Sequence, residues 1–187
     1  MTEPRPSVVI LAGPNGAGKS TAAPALLRGT LSVHEFVNAD VIARGLSAFD
    51  PDAAALAAGR VMLTRLHELA AQRTNFAFET TLASRTFAPW LRDLKASGYA
   101  IHFFFLWLPS ADLAVERVAD RVRAGGHNVP EETVRRRYGK GLRNFTRLYE
   151  SLASTWRLYD GSGAEPRLVA ERLELQPLRV YDEAIWD

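Results

Sequence analysis

Apolar and polar positions fall into blocks along this chain, and the period changes from block to block. From Ser7 to Ala12 the residues are almost all apolar and rich in β-branched types, as a strand covered on both faces reads. A glycine-rich turn follows, and the spacing predicts a helix from Lys19 to Arg28, which opens a βαβ unit. A short strand is expected at Glu35–Val37, leading into Asn38, Ala39 and Asp40. Alanine and leucine then dominate Pro51 to Gln72, predicting a helix with Asp50 as its N-cap. Phe76–Phe78 reads as a third strand closed by Glu79, Thr80 and Thr81, and a helix from Ser84 to Ser97 is expected to stop at Gly98. Ala100–Leu108 is the clearest strand, nearly continuously apolar, with Pro109 and Ser110 ending it before a helix that runs to Ala124.

After Gly125 and Gly126 a long helix is predicted to begin at Pro130, with Glu131 and Glu132 in the first turn, where the helix dipole favours acids. It carries two stripes. Val134, Tyr138, Leu142, Phe145, Tyr149, Leu152 and Trp156 recur at steps of three and four and belong in a core; Arg136, Lys140, Arg143 and Arg147 recur on another face, expected to be solvated. Trp156–Tyr159, the Gly161-Ser162-Gly163 turn and Arg167–Ala170 predict a late hairpin or edge pair. Strands alternating with helices imply an α/β fold with a mostly parallel sheet and helices on both faces. No repeat or linker divides the chain, so residues 1–187 are read as one domain.

Length and composition narrow the class. At 187 residues one sizeable core can form without staples. The absence of cysteine excludes disulfides and zinc–thiolate sites. No apolar run is long enough to span a bilayer, and Met1–Pro6 lacks the basic-then-apolar order of a leader, so no membrane association and a cytoplasmic location are expected. Lys19, Lys95 and Lys140 are the only lysines among 23 basic residues, and a net charge of +2 is too small to imply nucleic acid.

Gly13, Pro14, Asn15, Gly16, Ala17, Gly18, Lys19 and Ser20 match the full G-x-x-x-x-G-K-[ST] pattern between a strand and a helix start. Such a loop turns backbone N–H groups inward around a β-phosphate, its lysine reaches the β and γ oxygens, and its serine hydroxyl holds Mg²⁺. The three-layer P-loop NTPase or kinase fold follows, with ATP or GTP as phosphoryl donor. No Asn-Lys-x-Asp for guanine, no Leu-Ser-Gly-Gly-Gln, and no apolar strand ending in a metal-holding Asp before a catalytic Glu is present. Those features favour a small kinase over a GTPase, a transporter ATPase or a helicase.

In an open α/β sheet the ligand crevice lies beyond the carboxyl ends of the strands. The P-loop, Asp40 and the Glu79-Thr80-Thr81 segment should meet there. Transfer to a hydroxyl needs a carboxylate to orient the nucleophile and take its proton, which is assigned to Asp40, and a second acid or hydroxyl to place the metal, assigned to Glu79 with Ser20. Arg117, Arg121 and Arg123 before the Gly125-Gly126 joint, and Arg135, Arg136 and Arg137 after it, have the makeup of an arginine-bearing lid over residues 121–137. His127 is expected to be structural.

These residues resemble the zeta-toxin family of P-loop kinases. The matching pieces are Gly13–Thr21 (GPNGAGKST), Asn38–Ile42 (NADVI), Phe78–Leu82 (FETTL) and Arg121–Tyr138 (RVRAGGHNVPEETVRRRY), within a similarity running from about Val8 to Phe145; the last piece is distinctive of the compact zeta-like branch. The resemblance implies a UDP-N-acetylglucosamine kinase that phosphorylates the sugar 3′-hydroxyl with ATP or GTP and Mg²⁺, and a toxin–antitoxin setting with an antitoxin protein as partner. It implies that Lys19 and Ser20 serve phosphate and metal, that Asp40 is the base, that Glu79 and Thr80 lie at the substrate side, and that Arg123 and Arg136 contact the γ-phosphate. Two further readings stand beside the small-molecule kinase: a polynucleotide or other metabolite hydroxyl kinase using the Arg136–Arg147 stripe, and a binding module in which nucleotide orders the lid without transfer.

Overall fold

The apolar blocks assemble into one seven-stranded sheet. In the computed structural model, which describes residues 5–31, 33–51 and 53–186 with backbone only at 29 and 30, the strand order is β2 (Glu35–Val37), β3 (Phe76–Thr80), β1 (Ser7–Ala12), β4 (Ala100–Trp107), β5 (Thr155–Asp160), β6 (Arg167–Arg172) and β7 (Arg179–Val180). The first five are mutually parallel, β6 runs antiparallel to β5, and β7 runs antiparallel to β6. Met1–Pro4, part of the stretch read above for a leader, lie outside the described residues.

The period-2 alternation of the central strands sorts their side chains onto two faces. Val8 and Ile10 of β1, Phe76 and Phe78 of β3, and Ile101, Phe103 and Phe105 of β4 pack in one core with α3 (Ala55–Ala71), α4 (Phe87–Ala96) and the segment around Phe145 and Tyr149. Val9, Leu11, Ala77 and Phe104 pack on the other face, against Ala23 and Leu27. A third cluster joins Leu106 and Leu108 to α5 (Ala111–Arg123) and to Val134 of α6 (Glu131–Asn144). The three-layer α/β arrangement expected from the sequence is therefore present, and Val134, Phe145, Tyr149, Leu152 and Trp156 are buried. The long helix, however, ends at Asn144, passes into π-helical and 3₁₀ turns over Phe145–Leu152, and Trp156 lies on β5 rather than on the helix.

Helix boundaries differ from the expectation where side chains compete for backbone groups. The first helix is α-helical only over α1 (Lys19–Pro24) and continues as a π-helical turn, Ala25–Thr30, past the proline that withholds an N–H from the ladder. The helix predicted from Pro51 starts at Ala55, because Asp50 Oδ1 accepts from the Ala53 N–H at 3.0 Å and caps a separate turn. The helix predicted from Ser84 starts at Phe87, since Ser84 Oγ takes the Thr86 N–H at 3.1 Å. The predicted late hairpin is real as the β5–β6 pair, but β5 also lies parallel beside β4 and is an interior strand. The short α2 (Ala39–Leu46) follows β2 directly, and α7 (Glu183–Trp186) stacks Trp186 on Trp156.

Parallel register positions the site. Val37 pairs with Phe78, and Leu11 with Glu79, so Asn38, Glu79 and the start of the P-loop come level at the sheet's carboxyl edge. Here β1 is flanked by β3 on one side and β4 on the other, the place where the chain order reverses and ligands of open α/β sheets bind. The segment after β3 is clamped under α6: a Cβ on Gly141 would stand 2.3 Å from the Thr81 carbonyl oxygen. Gly141→Ala is therefore expected to push α6 away and destabilise the fold by about 1–3 kcal/mol. Gly139→Ala, which meets only the Arg143 side chain at 3.8 Å, should stabilise it by about 0.5–1 kcal/mol. Urea denaturation of both variants checks the pair; equal effects would remove the clamp.

Candidate active site

The P-loop is drawn tightly around its own lysine. Gly13 takes φ 136° and lies so close to β4 that a Cβ there would be 2.1 Å from the Leu106 carbonyl oxygen, so only glycine fits. Lys19 is 5% exposed, and its Nζ donates to the Gly13 carbonyl at 2.9 Å and the Pro14 carbonyl at 2.8 Å. Burial pulls its ammonium below the ordinary lysine range, while Glu79 and Asp40 oppose that shift and Arg121 adds to it. Lys19 Nζ stands 3.6 Å from Glu79 Oε1.

Glu79 is the hub of the arrangement. Its Oε2 accepts from Ser20 Oγ at 2.7 Å and from Asn38 Nδ2 at 2.8 Å. Asn38 uses its other amide atom as the N-cap of α2, accepting from the N–H groups of Asp40 at 2.8 Å and Val41 at 3.2 Å. One side chain thus fixes both Glu79 and the first turn that carries Asp40. The Ser20 hydroxyl beside the Glu79 carboxylate suits a hard divalent cation that keeps most of its coordination for phosphate oxygens and water, as Mg²⁺ does.

Two cavities meet here. The first, 520 Å³, is lined by the loop from Asn15 to Ala22, by Arg117 and Arg121 of α5, and by Gly161, Gly163, Ala164 and Pro166 of the β5–β6 turn. The second, 440 Å³, is lined by Thr80, Thr81, Met62, Phe87, His127, Arg136, Arg137 and Lys140 among others. Asn15, Lys19, Asp40 and Glu79 line both. Arg117 ties the far wall of the first cavity, donating to the Gly161 and Ser162 carbonyls at 2.5 Å each.

The sequence-named residues separate by position. Asn15, Gly16, Ala17, Gly18, Lys19, Ser20 and Thr21 line the P-loop cavity, and Gly13 and Pro14 contribute the carbonyls that hold Lys19. Asp40, Glu79, Thr80 and Arg136 line the second cavity. Arg123 is in neither lining: it is 72% exposed and pairs with Asp120, which does line the P-loop cavity. Two residues separate it from Arg121, which on a helix turns it to about the opposite side. Arg121 enters the P-loop cavity instead, with Nε and Nη2 buried and no hydrogen-bond partner among the described residues. The backbone after it closes the helix, with Gly125 N–H donating to Val122 O at 2.9 Å and Gly126 N–H to Arg121 O at 2.8 Å, a Schellman end. Arg137, half-buried in the second cavity, is pulled below its ordinary value by burial, which Asp40 opposes. Asn38 as the brace for Glu79 was not anticipated; its place one residue beyond a strand and two before Asp40 is an N-cap signature.

Comparison with known proteins places this geometry. The family model AAA_33, described as an AAA domain, matches residues 8–148. An uncharacterized protein of Haemophilus influenzae is 28% identical over 132 residues, which cover 70% of this chain and 91% of that protein. The crystal structure of AvrRxo1-ORF1:AvrRxo1-ORF2 with sulphate ions has a TM-score of 0.79 at 16% identity, covering 98% of this chain and 63% of that one. The complex with ATP has a TM-score of 0.77 at 15% identity with the same coverage, so this chain spans less than two thirds of the length of those chains. A structure from the PezAT chromosomal toxin–antitoxin system of Streptococcus pneumoniae has a TM-score of 0.65 at 13% identity, covering 91% of this chain and 73% of that one. These likenesses are of fold, and they support the zeta-toxin resemblance at that coarse level. No helix among the described residues is long and apolar enough to cross a membrane. With three quarters of its length matched, the chain belongs to the AAA_33 family of AAA domains and has a P-loop kinase-like fold.

Proposed function

We propose that this protein is a kinase that transfers the γ-phosphoryl group of ATP or GTP to a hydroxyl of a small molecule, with a nucleotide sugar such as UDP-N-acetylglucosamine, at its 3′-hydroxyl, as the leading acceptor. The observation that carries the reading is that Asn15, Lys19, Asp40 and Glu79 line both cavities, so a phosphate chain in the P-loop would end where a second molecule can present a hydroxyl to Asp40.

In that arrangement the acceptor oxygen attacks the γ-phosphorus as the bond to the β–γ bridging oxygen breaks; the nucleoside diphosphate leaves and the hydroxyl proton passes to the Asp40 carboxylate. Lys19 and Arg121 face the transferring group from two sides and stabilise its equatorial oxygens, and Arg136 approaches from the acceptor cavity. Mg²⁺, held on the protein side by Ser20 and Glu79, would screen the charge of the phosphates. The donor wall of Gly161, Gly163, Ala164 and Pro166 presents backbone and small side chains to a base, which is consistent with use of either purine nucleotide. Thr80 and Thr81, with Met62 and Phe87 opposite, would hold an acceptor ring. An antitoxin-like protein that covers this cleft belongs to the same proposal, supported by neighbours of like fold that come from a two-protein complex and a toxin–antitoxin system.

Labelled ATP with pools of nucleotide sugars, nucleosides and RNA ends tests the reading. Asp40→Asn should lower acceptor phosphorylation by about 10²–10⁴-fold while nucleotide affinity stays within a few-fold. Phosphate appearing on water alone, or on an acceptor as fast in the variant, would sink it. Arg121→Ala should lower kcat by about three orders of magnitude, and Arg123→Ala should change it by no more than a few-fold. Single-turnover rates of the two variants decide between these arginines; the reverse ranking would put Arg123 at the phosphate.

A further inference from the structure

Beyond the acceptor cavity lies a groove that the transfer chemistry does not use. It measures 710 Å³, and runs between the segment Ala83–Thr86 on one side and Lys140, Arg143 and Arg147 on the other. Ala83, Ser84 and Lys140 line both it and the acceptor cavity, so the two spaces are continuous. The basic stripe is exposed, as expected, and its Lys140, Arg143 and Arg147 also form one wall of a groove that opens from the acceptor cavity. Arg136 to Arg147 spans eleven residues, about 16 Å along the helix axis.

Its charge is not matched within the protein. Arg65, Arg135, Arg157, Arg167 and Arg172 have carboxylates within 4.0 Å, whereas among the described residues the exposed Arg28, Arg44, Arg60 and Arg92, far apart in the chain, have none. Among the described residues no carboxylate lies within that distance of Arg85, Lys140, Arg143 or Arg147, although the whole chain carries a net charge of only +2. The walls are also rigidly joined beneath the groove. Buried Asn144 donates to the Leu82 carbonyl at 2.7 Å, Tyr149 donates to the Ser84 carbonyl at 2.7 Å, and Leu82 between them is held at φ 53°, a costly conformation for leucine. What sets the groove apart is that four such cations, Arg85, Lys140, Arg143 and Arg147, exposed to solvent, gather around one pre-formed floor, where their potentials add and suit an anion.

We infer that this groove is a second anion subsite, taking the phosphate or diphosphate of a small phosphorylated acceptor whose hydroxyl end reaches Asp40. The inference rests on the kinase reading for the acceptor's orientation, and on the groove alone for the binding of phosphate. A polynucleotide is disfavoured because no aromatic side chain lines the groove, whereas single strands are held by stacking as well as charge. Arg85 and Arg143 face a diphosphate from opposite walls, and Arg147 sets its outer limit.

The test is calorimetric titration of inorganic pyrophosphate into protein saturated with Mg²⁺-ADP, which fills the P-loop, for wild type, R143E/R147E and R143K/R147K. Saturable binding to wild type and to the lysine variant, weakened by roughly tenfold or more in the glutamate variant, is expected. No saturable binding, or equal binding by all three, overturns the subsite. A single-stranded ten-nucleotide RNA that binds more than about a hundredfold tighter than pyrophosphate, with a steep loss in salt, would also overturn it in favour of a polynucleotide track. In transfer assays the glutamate variant should raise the acceptor KM by roughly tenfold with kcat within a few-fold. Pyrophosphate binding that depends on Arg143 and Arg147, in a protein that phosphorylates no acceptor, would leave the subsite standing and remove the kinase reading.

Discussion

A lysine ammonium buried at the carboxyl edge of the sheet is the constraint on which the rest of the structure turns. Taking such a charge out of water is costly, and burial alone lowers the ammonium's pKa. The protein offsets that cost with two carbonyls of the glycine loop and the Glu79 carboxylate. The same three groups give the loop its shape. Gly13 and Pro14 must turn their carbonyls inward, which the left-handed backbone of the glycines permits, and Glu79 must stand beneath the loop.

Glu79 can stand there because of strand register. Parallel pairing of β3 with both β1 and β2 brings Glu79 level with Leu11 on one side and, one step past the Val37–Phe78 pair, with Asn38 on the other, so the carboxylate is flanked by the P-loop serine and by an amide. Asn38 is committed at both ends of its side chain, to Glu79 and to the first turn of α2, and this ties the Glu79 carboxylate to Asp40. Preorganisation of this kind holds charged groups in place before a reaction develops charge, which is where most electrostatic stabilisation of a transition state comes from.

The arginine-bearing helices obey a different constraint, the phase of a helix. On α5, Arg117 braces the β5–β6 turn and Arg121, four residues on, follows it into the P-loop cavity, while Arg123 is exposed and pairs with Asp120 at the cavity's rim. On α6, Arg135 turns outward to Asp112 and Glu131, and Arg136, Arg137 and Lys140 turn toward the acceptor cavity. Ion pairs hold several outward arginines, and Arg136, Arg137, Lys140, Arg143 and Arg147 gather along the cleft and its continuation.

Much of this was legible from residue order alone. Strands with near-continuous apolar runs, the glycine-lysine-serine turn between β1 and α1, and the stripe from Val134 to Leu142 are local patterns, because hydrogen-bond periodicity and burial act on neighbours in sequence. That the same spacing continued to Trp156 did not keep the chain helical, since Trp156 joins β5. Glu79 and Asp40 could be proposed as site residues for the same reason: each follows a strand, and parallel strands end on one edge. Which arginine enters the cavity was not legible, since Arg121 and Arg123 differ only by their angle about a helix whose end is set by a Schellman turn. Nor was the joining of Ser84–Thr86 to the Lys140–Arg147 face, which depends on Asn144 and Tyr149 reaching carbonyls more than sixty residues away. Local chemistry and the protein's membership of a nucleotide-binding class were determined by sequence; which charges face one another across space was decided only when the sheet's register and the packing of α6 brought distant segments into contact.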